Sequence, residues 1–309
     1  MRETLWQRLA LGARRVCQRP DWTDFVSADW ADRIMAVTVT DRFHAKQGRS
    51  TGRWILGANG RRMSVYLKRH YLLPWWRGWL AAVWPNRGWS PALQEWRHLE
   101  WARSRGVPVP RAVAAAEYIG PWGRLQSFLA VEELSGMVPL HEAVPRVAAR
   151  LAETAFRKWK RGLAIELAYL ARTLHEQRRF HKDFYLCHLF IPEDLTLGVP
   201  DWSGRVHLID LHRLKRHPHL GLVWQIKDLA QLLYSSEVAG IDARDRLRFW
   251  RAYWGDRRHG WAVRLLRRFI CYKAWRYRRH NLKRSKPRNA MGSSGCADRD
   301  FSNGSLPSK

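Results

Sequence analysis

Two short segments, HKDFYLCHLF at residues 181–190 and RVHLID ending at Asp210, constrain the fold more than any other part of this 309-residue chain. The first follows LAIELAYLARTLHEQ, a run whose apolar positions recur every three or four residues and so predict a long amphipathic helix. The second reads as a buried strand that delivers an acid at its end. Asp183 and Asp210 are therefore carried on short segments behind one helix. A single acid among basic residues is ordinary surface chemistry; two acids delivered in this order suggest a site.

The N-terminal half has a different rhythm. From Ile34 to about Glu133 it is strand-rich: MAVTV alternates, RWIL and MSVYLK read as strands, and GANG between them is a hairpin turn. One helix interrupts the strands, with Ser90 as its N-cap, Pro91 at its first position, and Gly106 and Pro108 after its end. SFLAVEEL reads as a further buried strand. Beyond it the pattern is helical, through WQIKDLAQLLYSS and an Arg-rich stretch from about Asp242 to Arg284. The expected plan is α+β: a basic arm over residues 1–33, a small β-rich lobe over 34–133, a larger helical lobe over 134–284, and a disordered Gly/Ser/Asn-rich tail over 285–309.

Within that plan the acids have the layout of a protein-kinase core, where H-R-D-L-x-x-x-N supplies a base and the next strand ends in a metal-binding acid. Asp183 takes the base position, His188 the Asn position and Asp210 that of the metal-binding acid. Phosphoryl transfer uses both carboxylates, one to orient the attacking hydroxyl and one to hold Mg²⁺ on the phosphates. Such a core also needs a strand lysine and a helix carboxylate to orient it. Lys68 alternates against Met63, Val65 and Leu67, so it points to the other face of its strand. Ala92, Glu95, Leu99 and Ala102 share a three/four spacing that puts Glu95 on an inward stripe. A carboxylate there needs a partner, and Lys68 is the obvious one.

YLKRHY, the helix bearing Glu95 and Trp96, SFLAVEEL, HKDFYLCHLF, HLIDLHR and IKDLAQLLYSS together resemble the Kdo/WaaP lipopolysaccharide kinase family, from about Trp54 to Ser236. The resemblance implies a protein-kinase-like bilobal fold with one αC-type helix in the small lobe. It also implies ATP- and Mg²⁺-dependent phosphorylation of a heptose or Kdo hydroxyl in the lipopolysaccharide inner core. By the same resemblance Lys68 holds the α/β-phosphates, Glu95 fixes Lys68, Asp183 is the base and Asp210 ligates Mg²⁺. Glu132, Glu133 and Leu134 become the hinge whose backbone meets adenine, and Lys46–Arg53 the phosphate loop. Asp228 either supports the catalytic loop or is a helix-surface acid.

Several positions depart from the protein-kinase pattern. Lys182 stands for the usual arginine, and His212 for a glycine. Tyr185 stands for a phosphate-contacting lysine, which leaves that charge to another cation such as Arg213. His188 is a soft donor for Mg²⁺ and either ligates the metal or hydrogen-bonds Asp183 or Asp210.

The charge bears on partners. Fifty-five Lys and Arg against 27 Asp and Glu leave +28, which calls for an anionic partner. Aromatics interleaved with cations near the C-terminus suit nucleic acid or a phosphorylated glycolipid at an anionic membrane. The catalytic set favours the lipopolysaccharide core glycolipid as acceptor and an anionic membrane surface, with nucleic acid not expected and no obligate protein partner. Trp261, Leu265, Phe269 and Tyr272 are expected to form the buried face of the last helix, and Leu5, Leu9 and Val16 to share a face in the arm. Four scattered cysteines fit a reducing compartment, with Cys187 serving as packing. Arginines interrupt the N-terminal stretch where an export signal needs an apolar block, and YLLPWWRGWLAAVW is too short for a span. The expected location is cytoplasmic, peripheral to the inner membrane. The rivals are a kinase acting on protein or a small molecule, and a non-catalytic nucleic-acid-binding protein on a degenerate kinase fold. The first is disfavoured because no A-P-E segment follows Asp210, the second because it has no need of all four charged residues.

Overall fold

The structure, a computed structural model of the chain, describes residues 4–37, 40–44, 48–255 and 260–285. The expected tail beyond residue 285, and residues 46 and 47 of the expected phosphate loop, lie outside them. The small lobe runs through α1 (Leu5–Ala10), β1 (Ala13–Gln18), the short α2 (Trp30–Arg33), β2 (Thr40–His44), β3 (Arg49–Ala58), β4 (Arg61–His70), α3 (Trp75–Val83), α4 (Pro91–Ser104), β5 (Ala112–Gly120) and β6 (Arg124–Glu132). The larger lobe follows with β7 (Met137–Pro139), α5 (Leu140–Arg150), α6 (Glu153–Glu176), β8 (Arg179–Phe180), β9 (Leu189–Pro192), β10 (His207–Leu208), β11 (Lys215–Arg216), α7 (Gly221–Ser235), α8 (Ala243–Trp254) and α9 (Trp261–Ser285).

The small-lobe strands form one antiparallel sheet in the order β1-β5-β6-β4-β3-β2. Asn59 and Gly60 close the β3–β4 hairpin at φ of 50° and 73°, the left-handed pair a type I′ turn requires. Alternation along β4 divides its side chains. Met63, Val65 and Leu67 join Trp22, Trp30, Ile34 and Phe128 on one face, while Lys68 emerges on the other. Arg69 shares the first face and is buried there, donating to the carbonyls of Ile34, Met35 and Val37. These bonds fasten the segment after α2 to the back of the sheet. In the large lobe, Trp159, Phe184 and Leu186 pack with Leu93, Leu99 and Ala102 of α4 in one cluster, so α4 bridges the lobes.

Several expectations change on contact with the structure. Residues 13–18, read as part of an arm, pair with β5 along the edge of the sheet. Leu5 and Leu9 lie on α1 but Val16 lies in β1, so the three share no helical face. Met35 and Ala36 of MAVTV form a turn after α2, its Thr38 and Val39 lie outside the described residues, and β2 is Thr40–His44. Two helices rather than one separate β4 from β5; the additional α3 buries Ala81 and Ala82 and exposes Trp75 and Trp76.

The last helix is reversed. On α9 the buried side is Val263, Leu266, Ile270 and Ala274, whereas Trp261, Leu265, Phe269 and Tyr272 are 74, 44, 52 and 58% exposed. The aromatic stripe shares its helical face with Arg268, Arg276 and Arg279, whose charges would have to be buried with it. The aliphatic stripe carries no such cost. Among the described residues no helix is long and apolar enough to cross a membrane.

The fit between α6 and its neighbours gives a test. Trp202 packs edge-on to Trp159, ring centroids 5.0 Å apart, and a Cβ added at Gly162 would fall within the Trp202 indole. Alanine ordinarily gains about 1 kcal/mol over glycine inside a helix. Overpacking here costs about 1–3 kcal/mol, which outweighs that gain. Gly162→Ala is expected to lower the thermal unfolding midpoint, and a raised midpoint would contradict this packing.

Candidate active site

Lys68 of β4, Glu95 of α4 and Asp210 just after β10 meet at one point. Lys68 Nζ donates to Glu95 Oε1 at 2.7 Å and to Asp210 Oδ1 at 3.0 Å. Burial opposes the charge on Lys68, but the neighbouring carboxylates of Glu95 and Asp210 outweigh it and raise its pKa. For Asp210, burial pushes upward and is overcome by a 2.7 Å hydrogen bond from His212 Nδ1 and by the charge of Lys68. Its carboxyl is held well below the usual carboxylate range, so Asp210 and Lys68 face each other as charged groups at neutral pH.

The position of Glu95 follows from how α4 is held. The Ser90 hydroxyl accepts from the Leu93 N–H, and the Ser90 N–H donates at 2.6 Å to Glu117, a buried carboxylate on β5. Farther along, His98 Nδ1 donates to the Leu211 carbonyl at 3.0 Å and latches α4 to the segment carrying Asp210. Burial lowers the His98 pKa to about 4 against the pull of that bond, so the latch is neutral at pH 7.

The loop bearing Asp183 is held from below by one face of α7. Asp228, fully buried, accepts the N–H groups of His181 and Lys182 at 2.8 Å each. Gln231 accepts the Phe184 N–H and donates to the Lys182 carbonyl and the Tyr185 hydroxyl. Ser235 accepts the Leu186 N–H. These bonds offset the strain of Lys182, whose φ is 69°; Asp210, at 62°, is also in the left-handed region. Of the two readings of Asp228, the structure selects loop support. His175 lies between Asp228 Oδ2, at 3.4 Å, and the Tyr253 hydroxyl, at 2.7 Å.

Asp183 receives both of its oxygens' bonds from Arg213 Nη1, at 2.8 and 3.0 Å. His188 Nδ1 donates to the Asp183 main-chain carbonyl at 2.6 Å, so Nε2 is the ring nitrogen left for another partner. A cavity of 690 Å³ contains Lys68, Glu95, His188 and Asp210 together with residues 132–134, a size suited to a small ligand. Glu132 and Glu133 turn their carboxylates to Arg19 and Arg53, at 3.1 and 2.8 Å. Their amides bond the carbonyls of Arg111 and Ser64, while the Leu134 amide makes no bond to a described residue. Of the expected phosphate loop, Arg49–Arg53 form the start of β3.

Some features were missed by reading the chain. Cys187 is exposed, not packed, because its loop turns outward there. Glu117, Gln231 and Ser235 were not singled out. A signal existed for two of them: Gln231 and Ser235 recur with Asp228 at helical spacing on an otherwise apolar segment.

The model of the lipopolysaccharide kinase (Kdo/WaaP) family matches residues 46–253. The chain is 30% identical over 210 residues to the lipopolysaccharide core heptose(I) kinase WaaP of Pseudomonas aeruginosa, covering 67% of this chain and 74% of that one. It is 28% identical over 195 residues to the WaaP of Escherichia coli, covering 60% of this chain and 70% of that one. A solved structure of WaaP in complex with acyl carrier protein superposes with a TM-score of 0.64 at 25% identity, covering 88% of this chain and 100% of that one.

Replacing Asp228 tests the loop's attachment. Asp228→Ala leaves two main-chain N–H groups without their acceptor, at a cost of about 1–3 kcal/mol each. Hydrogen exchange at the His181 and Lys182 amides is expected to accelerate selectively. Unchanged protection there would contradict the role given to Asp228.

Proposed function

The chain belongs to the lipopolysaccharide kinase (Kdo/WaaP) family, and from that premise we propose that this phosphotransferase moves the γ-phosphoryl group of ATP to a sugar hydroxyl, that of a heptose, in the lipopolysaccharide core. The observation that supports this most is Lys68 lying 2.7 Å from Glu95 and 3.0 Å from Asp210 in one cavity. Lys68 holds the phosphates and Glu95 holds Lys68. Adenine meets the backbone of residues 132–134, where the Leu134 amide is available.

The donors near Asp210 fit a nucleotide-borne Mg²⁺. Asp210 Oδ1 is engaged by Lys68 and His212, and Oδ2 makes no bond to a described residue. Among the described residues no three His, Cys, Asp or Glu side chains form a metal group. Asp210 would hold the ion, with His188 of the same cavity as a second candidate donor, and the rest of its shell would come from phosphates and water, as is common for Mg²⁺. Bound there, Mg²⁺ supplies charge neutralisation on the phosphates.

Asp183, oriented by Arg213, accepts the proton of the sugar hydroxyl as its oxygen bonds to the γ-phosphorus and the bond to ADP breaks. Arg213 supplies the cation at the transferring group that Tyr185 cannot.

Acyl carrier protein is the protein partner we infer for this chain. In support, a cavity of 380 Å³ walled by Leu163, Leu167, Leu229, Leu232 and Ile270 has the apolar lining an acyl chain needs. The location we infer is the cytoplasmic face of the inner membrane, held peripherally. Trp6, Trp75 and Trp122 are exposed where α1, α3 and the turn between β5 and β6 pack together, and +28 of net charge suits an anionic lipid surface.

Two measurements test the reading. Asp183→Asn is expected to lower turnover by roughly 10²–10⁴-fold while the dissociation constant for ATP is unchanged. Mass spectrometry of inner-core glycan from cells lacking the gene should show the loss of one phosphate. Near-wild-type turnover in the variant, or an unaltered glycan, would refute it.

A further inference from the structure

Beyond the nucleotide cavity, the surroundings of Asp183 hold cations without counter-charges. Lys182 Nζ lies 4.0 Å from the ring centroid of Trp224, and Lys227 Nζ lies 5.6 Å from the same ring. His217 stacks on that indole, with centroids 4.9 Å apart and planes at 23°. Lys215 stands two residues past Arg213 on β11. Among the described residues no carboxylate comes within ion-pair distance of Lys182, Lys215 or Lys227. The acids nearby are already engaged: Asp183 is bonded to Arg213, and Asp228 is buried beneath the loop.

The way these ammonium groups are held is informative. An indole face positions a cation through its quadrupole and adds no negative charge. A lysine fixed in this way is oriented yet not neutralised. The cost is visible: the pKa of Lys182 is lowered by burial and then by Lys215, Lys227 and Arg213. That of Lys227 is lowered by burial and then by Arg213, with Asp183 acting in the other direction. Like charges gathered at one place, Lys182 and Lys227 half-buried and Lys215 exposed, do not stabilise a fold, and an incoming anion relieves them.

The location separates two sources for such an anion. Lys182, Lys215, Trp224 and Lys227 do not line the cavity that contains Lys68 and Asp210. The cluster adjoins Asp183 from outside that cavity, where an acceptor approaches. We propose that Lys182 and Lys227, positioned on Trp224, form with the neighbouring Lys215 an acceptor subsite for an acidic sugar, one bearing a carboxylate or phosphate close to the hydroxyl that Asp183 meets. The inference rests on the kinase reading, because it takes Asp183 as the residue facing that hydroxyl. It adds that the acceptor is recognised by its own negative charge.

The test uses the full chain and two probes: deacylated inner-core oligosaccharide, and the same oligosaccharide with its carboxylates reduced and its phosphates removed. Lys182→Met and Lys227→Met, made singly, are each expected to raise the KM for the native oligosaccharide about tenfold, the effect of losing one charged hydrogen bond. The KM for ATP should stay within about twofold of wild type. On the neutralised probe the variants should match the wild type. Calorimetric titration with both probes in the absence of nucleotide reads the subsite without turnover, and wild type should prefer the native one about tenfold or more. Equal penalties on both probes overturn the proposal. A rise confined to the KM for ATP also overturns it and assigns the cations to the nucleotide. Wild-type binding of the native probe without phosphorylation counts against the acceptor named above, while the calorimetric preference still decides the subsite.

Discussion

A single ammonium group, Lys68 Nζ between the carboxylates of Glu95 and Asp210, ties together three parts of the chain that have little else in common. A strand of the small sheet, a helix bridging the lobes and a turn of the large lobe each contribute one charge. Taking those charges out of water is costly, and the cluster is tolerated because each carboxylate is paired and Asp210 has a second donor in His212. Its geometry rests on two contacts nearby. Glu117 holds the start of α4, and His98 joins that helix to Leu211, beside Asp210. The charged cluster is thus assembled by the same bonds that join the lobes.

Two settings for cations in the molecule contrast. Structural ones are matched: Lys160 is buried against Asp245 at 2.5 Å and Asp242 at 3.3 Å, and Arg69 is surrounded by carbonyls. Those beside Asp183 are unmatched and rest on an indole. The loop between them is rigid because Asp228, Gln231 and Ser235 satisfy its amides. Compensated charge builds the platform, and the uncompensated charge beside Asp183 is what the proposed acceptor subsite uses.

The central features were legible because they obey local periodicity. Alternation on β4 separated Lys68 from Met63, Val65 and Leu67, and the three/four spacing on α4 turned Glu95 inward. Ser90, Pro91 and Gly106 bounded that helix, and Asn59-Gly60 formed the expected hairpin. Features that depend on distant partners were hidden. Pairing of residues 13–18 with β5 spans about a hundred positions and has no local signature. On α9 two apolar stripes compete, and only its packing against α7 reveals that the aliphatic one is inside. The amide-binding face of α7 was half visible, as polar residues at helical spacing whose acceptors lie on another segment.

Calorimetric titration with ATP, with and without Mg²⁺, for the wild type, Lys68→Met and Asp210→Asn probes the convergence of these side chains most directly. Lys68→Met should weaken ATP binding in both conditions, because its charge acts on the phosphates themselves. Asp210→Asn should abolish only the gain in affinity that Mg²⁺ brings. Wild-type affinities in both variants, with the Mg²⁺ gain intact, would mean that the nucleotide binds elsewhere and that the three charges are merely structural.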